Sequence, residues 1–296
     1  MDNPLVTVII PTYNYGNLLR PAVNSVLNQT YTNIELLIVD DCSPTPSIDA
    51  IRDIVEKDPR VRVIRNEKNL NVSGARNVGL AHARGELIAT LDHDDGWLPQ
   101  KLEKQVEFLR DRQYAACITD TLSYEAPSYN RKNSRKDLTW IIITGTFTGM
   151  GSGMLAWRST FDQVGLYHLE IETVQDWDWL MRMHIKGLKM GIVPQQLTIY
   201  AGVHRRATAV ELEDINLVNS QYADQLHGPE RELFNAAVKW RIALIEFLGK
   251  RNFAQGIKLA WAALQSPINF SRYAWTIYEG TLRKSPTPPP DFAQNA

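Results

Sequence analysis

Residues 87–95 read Leu-Ile-Ala-Thr-Leu-Asp-His-Asp-Asp, an apolar, β-branched run that changes abruptly into four polar residues. The apolar part, Leu87–Leu91, is typical of a buried strand, and the polar part is typical of the turn that follows one. The same change occurs three times earlier in the chain. Strands are predicted at Leu5–Ile10, Ile34–Val39 and Val61–Ile64, followed respectively by Thr12-Tyr13-Asn14, Asp40-Asp41 and the stretch from Asn66 to Asn71.

Amphipathic stretches with helical spacing separate these strands, and a fifth strand is predicted at Tyr114–Thr119. Strands that alternate with helices indicate βαβ units and a largely parallel sheet, which is an α/β fold. In such a sheet the carboxyl ends of the strands meet at one edge. The polar residues after the strands should therefore line one crevice, and that crevice should be acidic.

The composition excludes several classes of protein. Of the 296 residues, 44% are hydrophobic and 22% are charged, and the net charge is −1, so a disordered chain or a nucleic-acid-binding protein is not indicated. No apolar run is long enough for a spanning helix, and the N-terminus lacks a signal-peptide pattern. Cys42 and Cys117 form no C-x-x-C pair, so we expect reduced thiols and a cytoplasmic protein.

The cluster Asp92-His93-Asp94-Asp95 is the strongest candidate for a metal site. Carboxylates at positions i and i+2 of a turn can converge on one hard cation, so Asp92 and Asp94 are predicted ligands of Mg²⁺ or Mn²⁺. The alternative is that acidic residues here only support turns, Asp95 before Trp97 and the Asp40-Asp41 pair before Ser43.

Three further polar residues are candidates for binding or catalysis. Arg76, at the start of a helix, could hold a phosphate or a ribose, or it could be an ordinary exposed arginine. Asp176 could be a general base, or the acidic residue that many helices carry in their first turn. His204 could bind a metal or a phosphate, or it could be structural. Neither a G-x-G-x-x-G nor a P-loop motif occurs, so phosphates would depend on metal and arginine.

Taken together, these motifs resemble the inverting family 2 glycosyltransferases of the GT-A fold. The order and spacing of the motifs are similar to those of the family over about residues 5–205. The segments that carry the resemblance are Val8–Asn14, Val39–Ser43, Gly74–Gly79 with Ala83–Glu86, and Leu91–Asp95.

The resemblance implies a Rossmann-like, mostly parallel sheet flanked by helices, with a C-terminal helical extension. It implies a metal-dependent enzyme that moves a sugar from a nucleotide-diphosphate sugar to a hydroxyl of a saccharide or lipid-linked acceptor, in the synthesis of cell-surface polysaccharide or glycolipid. Asp176 would be the catalytic base, and Asp92, Asp94 and His204 would hold the metal. The implied nucleotide-sugar-binding residues are Pro11, Thr12, Tyr13, Asn14, Asp40, Asp41, Arg76, Asp92 and Ser152.

Two positions depart from the family pattern. Gln175 stands where the family usually has Glu, directly before the implied base. Gly202 stands where many members have Arg, so phosphate contacts at that edge would depend on Arg205 or Arg206.

The resemblance also suggests a division of the chain. Residues 1–120 would bind the nucleotide sugar, residues 121–208 would bind the acceptor and carry the base, residues 209–284 would be helical, and residues 285–296 would form a flexible Pro-rich tail. Residues 239–284 carry eight basic and two acidic side chains with interleaved aromatic residues. This region could lie peripherally on the cytoplasmic face of a membrane, or it could form a lid or a dimer contact.

Two other functions remain open on the sequence. A nucleotidyltransferase on a related fold would release pyrophosphate, although the Gly-rich basic loop expected after strand one is missing. The other is a membrane-associated protein that binds nucleotide sugars without turning them over. The oligomeric state, the sugar and the nucleotide base are not specified by these motifs.

Overall fold

Two neighbouring strands with every residue buried form the centre of the parallel part of the sheet. The computed structural model describes residues 3–14, 16–110, 113–123, 138–145, 149–200 and 208–248, together with residues 257, 258 and 261. The elements of the first half are β1 (Val6–Thr12), α1 (Gly16–Leu27), β2 (Ile34–Asp40), α2 (Arg52–Lys57), β3 (Val61–Arg65), α3 (Asn71–His82), β4 (Leu87–Thr90), β5 (Gly96–Trp97) and α4 (Lys101–Leu109). The two central strands are β1 and β2.

The second half adds three strands and six helices among the described residues. These are β6 (Ala116–Ser123), α5 (Thr139–Thr144), α6 (Met150–Gly153), β7 (Met154–Trp157), α7 (Arg158–Val164), α8 (Gln175–Ile185), β8 (Met190–Tyr200), α9 (Thr208–Tyr222) and α10 (Gly228–Leu248). The strands form one eight-stranded sheet in the order β3-β2-β1-β4-β7-β6-β8-β5. The predicted α/β fold is confirmed.

The sheet is parallel on one side and mixed on the other. β1 pairs in parallel with β2 and with β4, and β2 pairs in parallel with β3. β7 runs antiparallel between β4 and β6, and β5 runs antiparallel to β8. The sequence did not predict β7, which follows α6 directly. This four-residue strand gave too short an apolar signal to be separated from its surroundings.

Hydrophobic layers cover both faces of the sheet. Along β2, Leu36 and Ile38 pack into one layer, whereas Leu37 and Val39 pack into the other. This alternation is the period-two arrangement of side chains on a strand. A strand that is buried on both faces reads as a continuous apolar run, which is why the sequence predicted β1, β2 and β4 well.

Helix α3 lies unusually close to β1. A Cβ at Gly79 would lie 2.5 Å from Cγ2 of Ile9, so glycine is what permits this approach. The close contact brings the first turns of α3, including Arg76, under the carboxyl ends of β1 and β4.

The C-terminal helices dock on α8. The Tyr222 hydroxyl of α9 donates a hydrogen bond to Asp178, and the Arg241 guanidinium of α10 lies 4.8 Å from the centroid of the Trp177 ring. Phe234 of α10 also packs against Trp177, with ring centroids 5.7 Å apart. Arg241 also donates to the carbonyl of Gly145. The start of the basic region at 239–284 is therefore built into the body of the protein.

Several sequence predictions lie outside the described residues. They are the implied metal ligand His204, most of the basic region at 239–284, and the tail at 285–296. The division into functional regions stays a prediction. Within the part of the chain that the structure describes, no helix combines the length and the apolar character needed to cross a bilayer.

A buried lysine supports the end of α6, which leads directly into β7. Lys101 has no exposed surface; its Nζ donates a 2.7 Å hydrogen bond to Gln105 and lies 3.9 Å from the centroid of the Trp97 ring. Gln105 in turn donates to the carbonyl of Gly153, and Trp97 donates to the carbonyl of Ser152. Burial lowers the pKa of Lys101 to about 7.

This lowered pKa gives the stability a pH dependence. Between about pH 7 and pH 10 the folded state holds Lys101 neutral while the unfolded state keeps it protonated, so the free energy of unfolding rises with pH. Relative to Lys101→Met, wild type should gain at most about 1.4 kcal/mol per pH unit in this window. Urea unfolding at several pH values measures the difference.

The matched control is Lys104→Met on the same helix, where the side chain is 37% exposed. The difference in unfolding free energy between wild type and this control should stay flat over the same pH range. A flat profile for Lys101→Met as well would contradict the assigned pKa.

Candidate functional site

A cavity of about 290 Å³ opens at the carboxyl ends of β1, β2 and β4. This is where the chain order of the parallel strands reverses on either side of β1, the usual place for a ligand in an open α/β sheet. The predicted site residues that line it are Pro11, Thr12, Tyr13, Asp41, Asp92 and Asp94. Topology alone brought these residues together, as the sequence predicted.

The turns around this cavity hold strained backbone. Among the described non-glycine residues, positive φ angles occur at Asn14 (58°), Cys42 (65°) and Asn71 (59°). Asn14 and Cys42 lie just beyond β1 and β2, and Asn71 begins α3. The Asn14 amide donates to Ser43, which ties the first two loops together. Non-glycine residues in the left-handed region concentrate at functional sites, so this edge is the candidate site on backbone grounds as well.

Thr12 and Tyr13 offer different chemistry to the cavity. The Thr12 side chain is buried, and its Oγ1 has no hydrogen-bond partner among the residues that the structure describes. The Tyr13 ring is 42% exposed on the cavity wall. An unpaired buried hydroxyl and an open aromatic face suit a planar, polar ligand.

The two aspartates at the end of β2, Asp40 and Asp41, have different surroundings and different roles. Asp41 lines the cavity and accepts hydrogen bonds from the Asn66 side chain and the Leu70 amide. Asp40 is buried outside the cavity, and its oxygens accept hydrogen bonds from the amides of Ser43 and Ser47. Burial raises the pKa of Asp40, but these hydrogen bonds outweigh burial and lower it. This arrangement favours the turn-supporting alternative for Asp40.

Arg76 lies between the carboxylates of Asp92, a predicted metal ligand, and Asp176, the predicted base. Its guanidinium is fully buried; Nη2 donates to Asp92 at 2.8 Å and Nη1 donates to Asp176 at 2.6 Å. Burial alone lowers the pKa of Arg76, but the charges of Asp176 and Asp92 outweigh it and raise the pKa above its usual value. The Tyr167 ring completes the enclosure, 5.4 Å from the guanidinium carbon.

Arg76 is buried, so the ordinary exposed arginine that the sequence left open as an alternative is wrong. Two of its nitrogens donate to carboxylates, and its Nε is buried without a hydrogen-bond partner in the described ranges. A contact from Arg76 to ribose or diphosphate stays a prediction. What the structure adds is a fixed cation that joins the end of β4 to the start of α8.

Glycine at position 151 makes room for this pairing. A Cβ there would lie 2.7 Å from both Nη2 of Arg76 and Oδ2 of Asp176. Thr90 fixes the segment by donating a 2.6 Å hydrogen bond to the Gly151 carbonyl.

Ser152 has a supporting position. It is wholly buried and does not line the cavity; its Oγ donates to Asp95 and accepts from the Asp92 amide at 3.1 Å. Direct contact between Ser152 and a nucleotide sugar is therefore not favoured by this arrangement. Asp95, also buried, supports the turn, which was the alternative considered for it. Asn14 likewise does not line the cavity.

The metal prediction is tested by the chemistry of the donor set. Asp92 and Asp94 both face the cavity, and their carboxylate oxygens are the donors that Mg²⁺ and Mn²⁺ prefer. The third predicted ligand, His204, lies outside the described residues. Within the described ranges no three potential ligands form a cluster. The two aspartates fit a divalent ion that completes its shell with other oxygens.

Several residues of the cavity had no strong signal in the sequence. Glu172 accepts a 3.2 Å hydrogen bond from Asn71, and Tyr200 ends β8 on the same cavity. Both are brought in by tertiary packing from the second half of the chain. Asp214 of α9 positions Glu172 and Thr173 by accepting hydrogen bonds from their amides.

The buried ion pair should be important for stability. Arg76→Met should lower the free energy of unfolding by about 3 kcal/mol, because Asp92 and Asp176 would face each other without a cation. Adding Asp176→Asn should recover part of the loss. Urea unfolding of the single and double variants measures this coupling.

Arg20→Met is the control, since Arg20 pairs with Asp53 on the surface and both side chains are largely exposed. It should cost less than about 1 kcal/mol. Equal losses for Arg76→Met and Arg20→Met would show that the bridge carries no special stability.

Known proteins resemble the part of the chain that contains the cavity. The model of the family described as Glycosyl transferase family 2 matches residues 7–168. The putative teichuronic acid biosynthesis glycosyltransferase TuaG of Bacillus subtilis (strain 168) is 41% identical over 116 residues, which are 39% of this chain and 46% of that protein. The first curated relatives are thus matched over less than half of their length.

A longer match is found with WfaP of Escherichia coli, a UDP-Glc:alpha-D-GlcNAc-diphosphoundecaprenol beta-1,3-glucosyltransferase. It is 30% identical over 213 residues, which are 67% of this chain and 78% of WfaP.

Solved structures of low identity share the fold. S. aureus TarS 1-349 in complex with UDP-GlcNAc gives a TM-score of 0.69 at 17% identity, over 88% of this chain and 81% of that one. The mannosyltransferase PcManGT from Pyrobaculum calidifontis, in complex with GDP-Man and Mn²⁺, gives 0.66 at 19% identity, over 93% and 80%. The resemblance seen in the sequence motifs is confirmed, and the fold is of the GT-A type. The chain belongs to glycosyl transferase family 2.

Proposed function

We propose that this protein is a metal-dependent inverting glycosyltransferase. It moves a sugar from a nucleotide-diphosphate sugar to a hydroxyl of a saccharide or lipid-linked acceptor, in the synthesis of cell-surface polysaccharide or glycolipid. The observation that carries this proposal is the Arg76 bridge, which sets an aspartate suited to a metal and an aspartate suited to a base side by side. Family membership and the names of the relatives support the reaction class and the pathway.

The nucleotide occupies the cavity beyond β1 and β2 in this proposal. Tyr13 provides a face on which the base stacks, and Thr12 Oγ1 and the Asp41 carboxylate provide hydrogen-bonding groups for the base. Asp92 and Asp94 would hold Mg²⁺ or Mn²⁺, and the bound ion supplies positive charge that stabilises the leaving nucleoside diphosphate. Complexes of fold neighbours with UDP-GlcNAc and with GDP-Man and Mn²⁺ support this assignment.

Asp176 acts as the general base. Its Oδ1 is held by Arg76, and Oδ2 lies beside the space left free by Gly151. The carboxylate takes the proton of the acceptor hydroxyl as the acceptor oxygen bonds to the anomeric carbon of the donor. The bond from that carbon to the diphosphate oxygen breaks on the opposite face, so the configuration inverts. Arg76 orients the carboxylate by donating a hydrogen bond to Oδ1.

The two aspartates give the decisive test. With Mn²⁺ and a panel of UDP-glucose, UDP-GlcNAc and GDP-mannose, wild type should release nucleoside diphosphate from one donor. Asp176→Asn should lower kcat by about 10² to 10⁴-fold because the proton acceptor is lost. Asp94→Asn should raise the Mn²⁺ concentration needed for activity.

Asp162→Asn is the matched control, since Asp162 is exposed on α7 away from the cavity. It should retain wild-type rates. Release of pyrophosphate from a sugar phosphate and a nucleoside triphosphate would instead indicate a nucleotidyltransferase. Donor binding without turnover, in the presence of an acceptor, would indicate a protein that only binds nucleotide sugars.

We also propose that the C-terminal region meets the cytoplasmic face of a membrane that carries the acceptor. Ile257 and Trp261, one helical turn apart, are 60% and 65% exposed, and Lys258 beside them is exposed too. Exposed apolar side chains next to basic ones suit an anionic lipid surface.

Sedimentation with phosphatidylglycerol vesicles tests the membrane proposal. Replacing Ile257 and Trp261 together by Ala should weaken vesicle binding by about tenfold, because their apolar area no longer enters the lipid. Leu166→Ala, at a side chain 53% exposed elsewhere, should leave binding unchanged. Wild type that stays in the supernatant would contradict membrane contact.

A further inference from the structure

The buried side chain of Gln175 lines the cavity, and no described residue donates a hydrogen bond to its Oε1. It is the first residue of α8 and directly precedes Asp176. The side chain is only 2% exposed and lines the cavity. Its Oε1 is buried and accepts no hydrogen bond from any described part of the protein.

Such an oxygen requires an explanation. Nearly all buried amide oxygens in native proteins accept a hydrogen bond, because an unpaired one has lost its contact with water and gained nothing. The side chain that carries this oxygen lies on a wall of the proposed substrate site. A group on the ligand that donates a hydrogen bond would satisfy it.

The charge of the side chain narrows the kind of ligand group. The cavity already contains four carboxylates that can hold cations or orient charged groups, namely Asp41, Asp92, Asp94 and Glu172. Gln175 is neutral, so it adds no repulsion to this set and no attraction for a metal ion. A neutral acceptor suits a neutral donor, and on a nucleotide-sugar or saccharide substrate the neutral donors near the reacting carbon are hydroxyls.

The position of Gln175 places that hydroxyl near the chemistry. Asp176, the next residue, is the proposed base, so the groups that come close to it are the transferred sugar and the sugar of the acceptor. The residues proposed to contact the nucleotide lie on a different element, since Thr12 ends β1 and Tyr13 follows it.

We propose that Gln175 accepts a hydrogen bond from a saccharide hydroxyl and is a specificity-determining residue of this protein. The inference rests on the proposed glycosyltransferase function and deepens it. The hydroxyl belongs either to the transferred sugar or to the acceptor sugar, and the experiment below separates these two sources.

The experiment compares Gln175→Met with wild type, because Met has a similar length and no amide oxygen. The donor is the one that turns over in the panel of UDP-glucose, UDP-GlcNAc and GDP-mannose, with α-GlcNAc-diphosphoundecaprenol as acceptor probe. The kcat/KM of the variant should fall about 10- to 100-fold. Its Kd for the nucleoside diphosphate alone, which has no sugar, should stay within about twofold of the wild-type value.

Monodeoxy analogues identify the hydroxyl. In wild type, removal of the contacted hydroxyl should lower kcat/KM, whereas in Gln175→Met the same removal should have little further effect. Non-additivity with a deoxy donor assigns the contact to the transferred sugar, and non-additivity with a deoxy acceptor assigns it to the acceptor.

Gln221→Met is the matched control. Gln221 on α9 also has a buried Oε1 to which no described residue donates a hydrogen bond, but it does not line the cavity. This variant should keep wild-type kcat/KM. If removal of a buried, unpaired amide were harmful in itself, both variants would lose activity to a similar extent, and the inference would be overturned.

Two further outcomes separate the inference from the function on which it rests. Turnover by wild type with an unchanged kcat/KM in Gln175→Met would overturn the role of Gln175 alone. A parallel loss of nucleoside-diphosphate binding in Gln175→Met would indicate a structural role and would also overturn it. Absence of turnover by wild type with every donor would overturn the proposed function and the inference together.

Discussion

The ion pairs of Arg76 with Asp92 and Asp176 are the constraint on which the candidate site depends. They join the end of a parallel strand to the start of a helix from the second half of the chain. A buried arginine is tolerated only when its charge is compensated, and here both neighbouring carboxylates are within 2.8 Å. Two glycines make this arrangement possible. Gly79 lets α3 approach β1, and Gly151 has no side chain that would collide with the guanidinium and with Asp176.

The sequence predicted the parts of this site that follow from local pattern and topology. Thr12, Tyr13, Asp41 and the Asp92–Asp94 turn were found because each follows an apolar run, and parallel strands bring such ends together. It could not separate Asp40 from Asp41, because that depends on which carboxylate turns inward to Ser43 and Ser47.

Other features of the fold and the site depend on packing that no local pattern encodes. Ser152 is occupied in supporting the Asp95 turn through a hydrogen bond across 57 residues of sequence. Glu172 and Tyr200 reach the cavity only through the folding of the second half of the chain. The antiparallel strand β7 was missed because four apolar residues cannot be assigned by period alone. The burial of Arg76 was missed because its two partners lie 16 and 100 residues away.

The central claim is that a metal and a nucleotide meet at Asp94, next to the Asp92 carboxylate that Arg76 holds. A crystal structure of the protein with Mn²⁺ and the nucleoside diphosphate of its donor tests this most directly, with anomalous scattering to locate the metal. We expect Mn²⁺ bound by Asp94 and the diphosphate, the base against Tyr13, and Arg76 still in contact with Asp176. A nucleotide bound elsewhere on the protein, or Mn²⁺ with no contact to Asp94, would contradict the account.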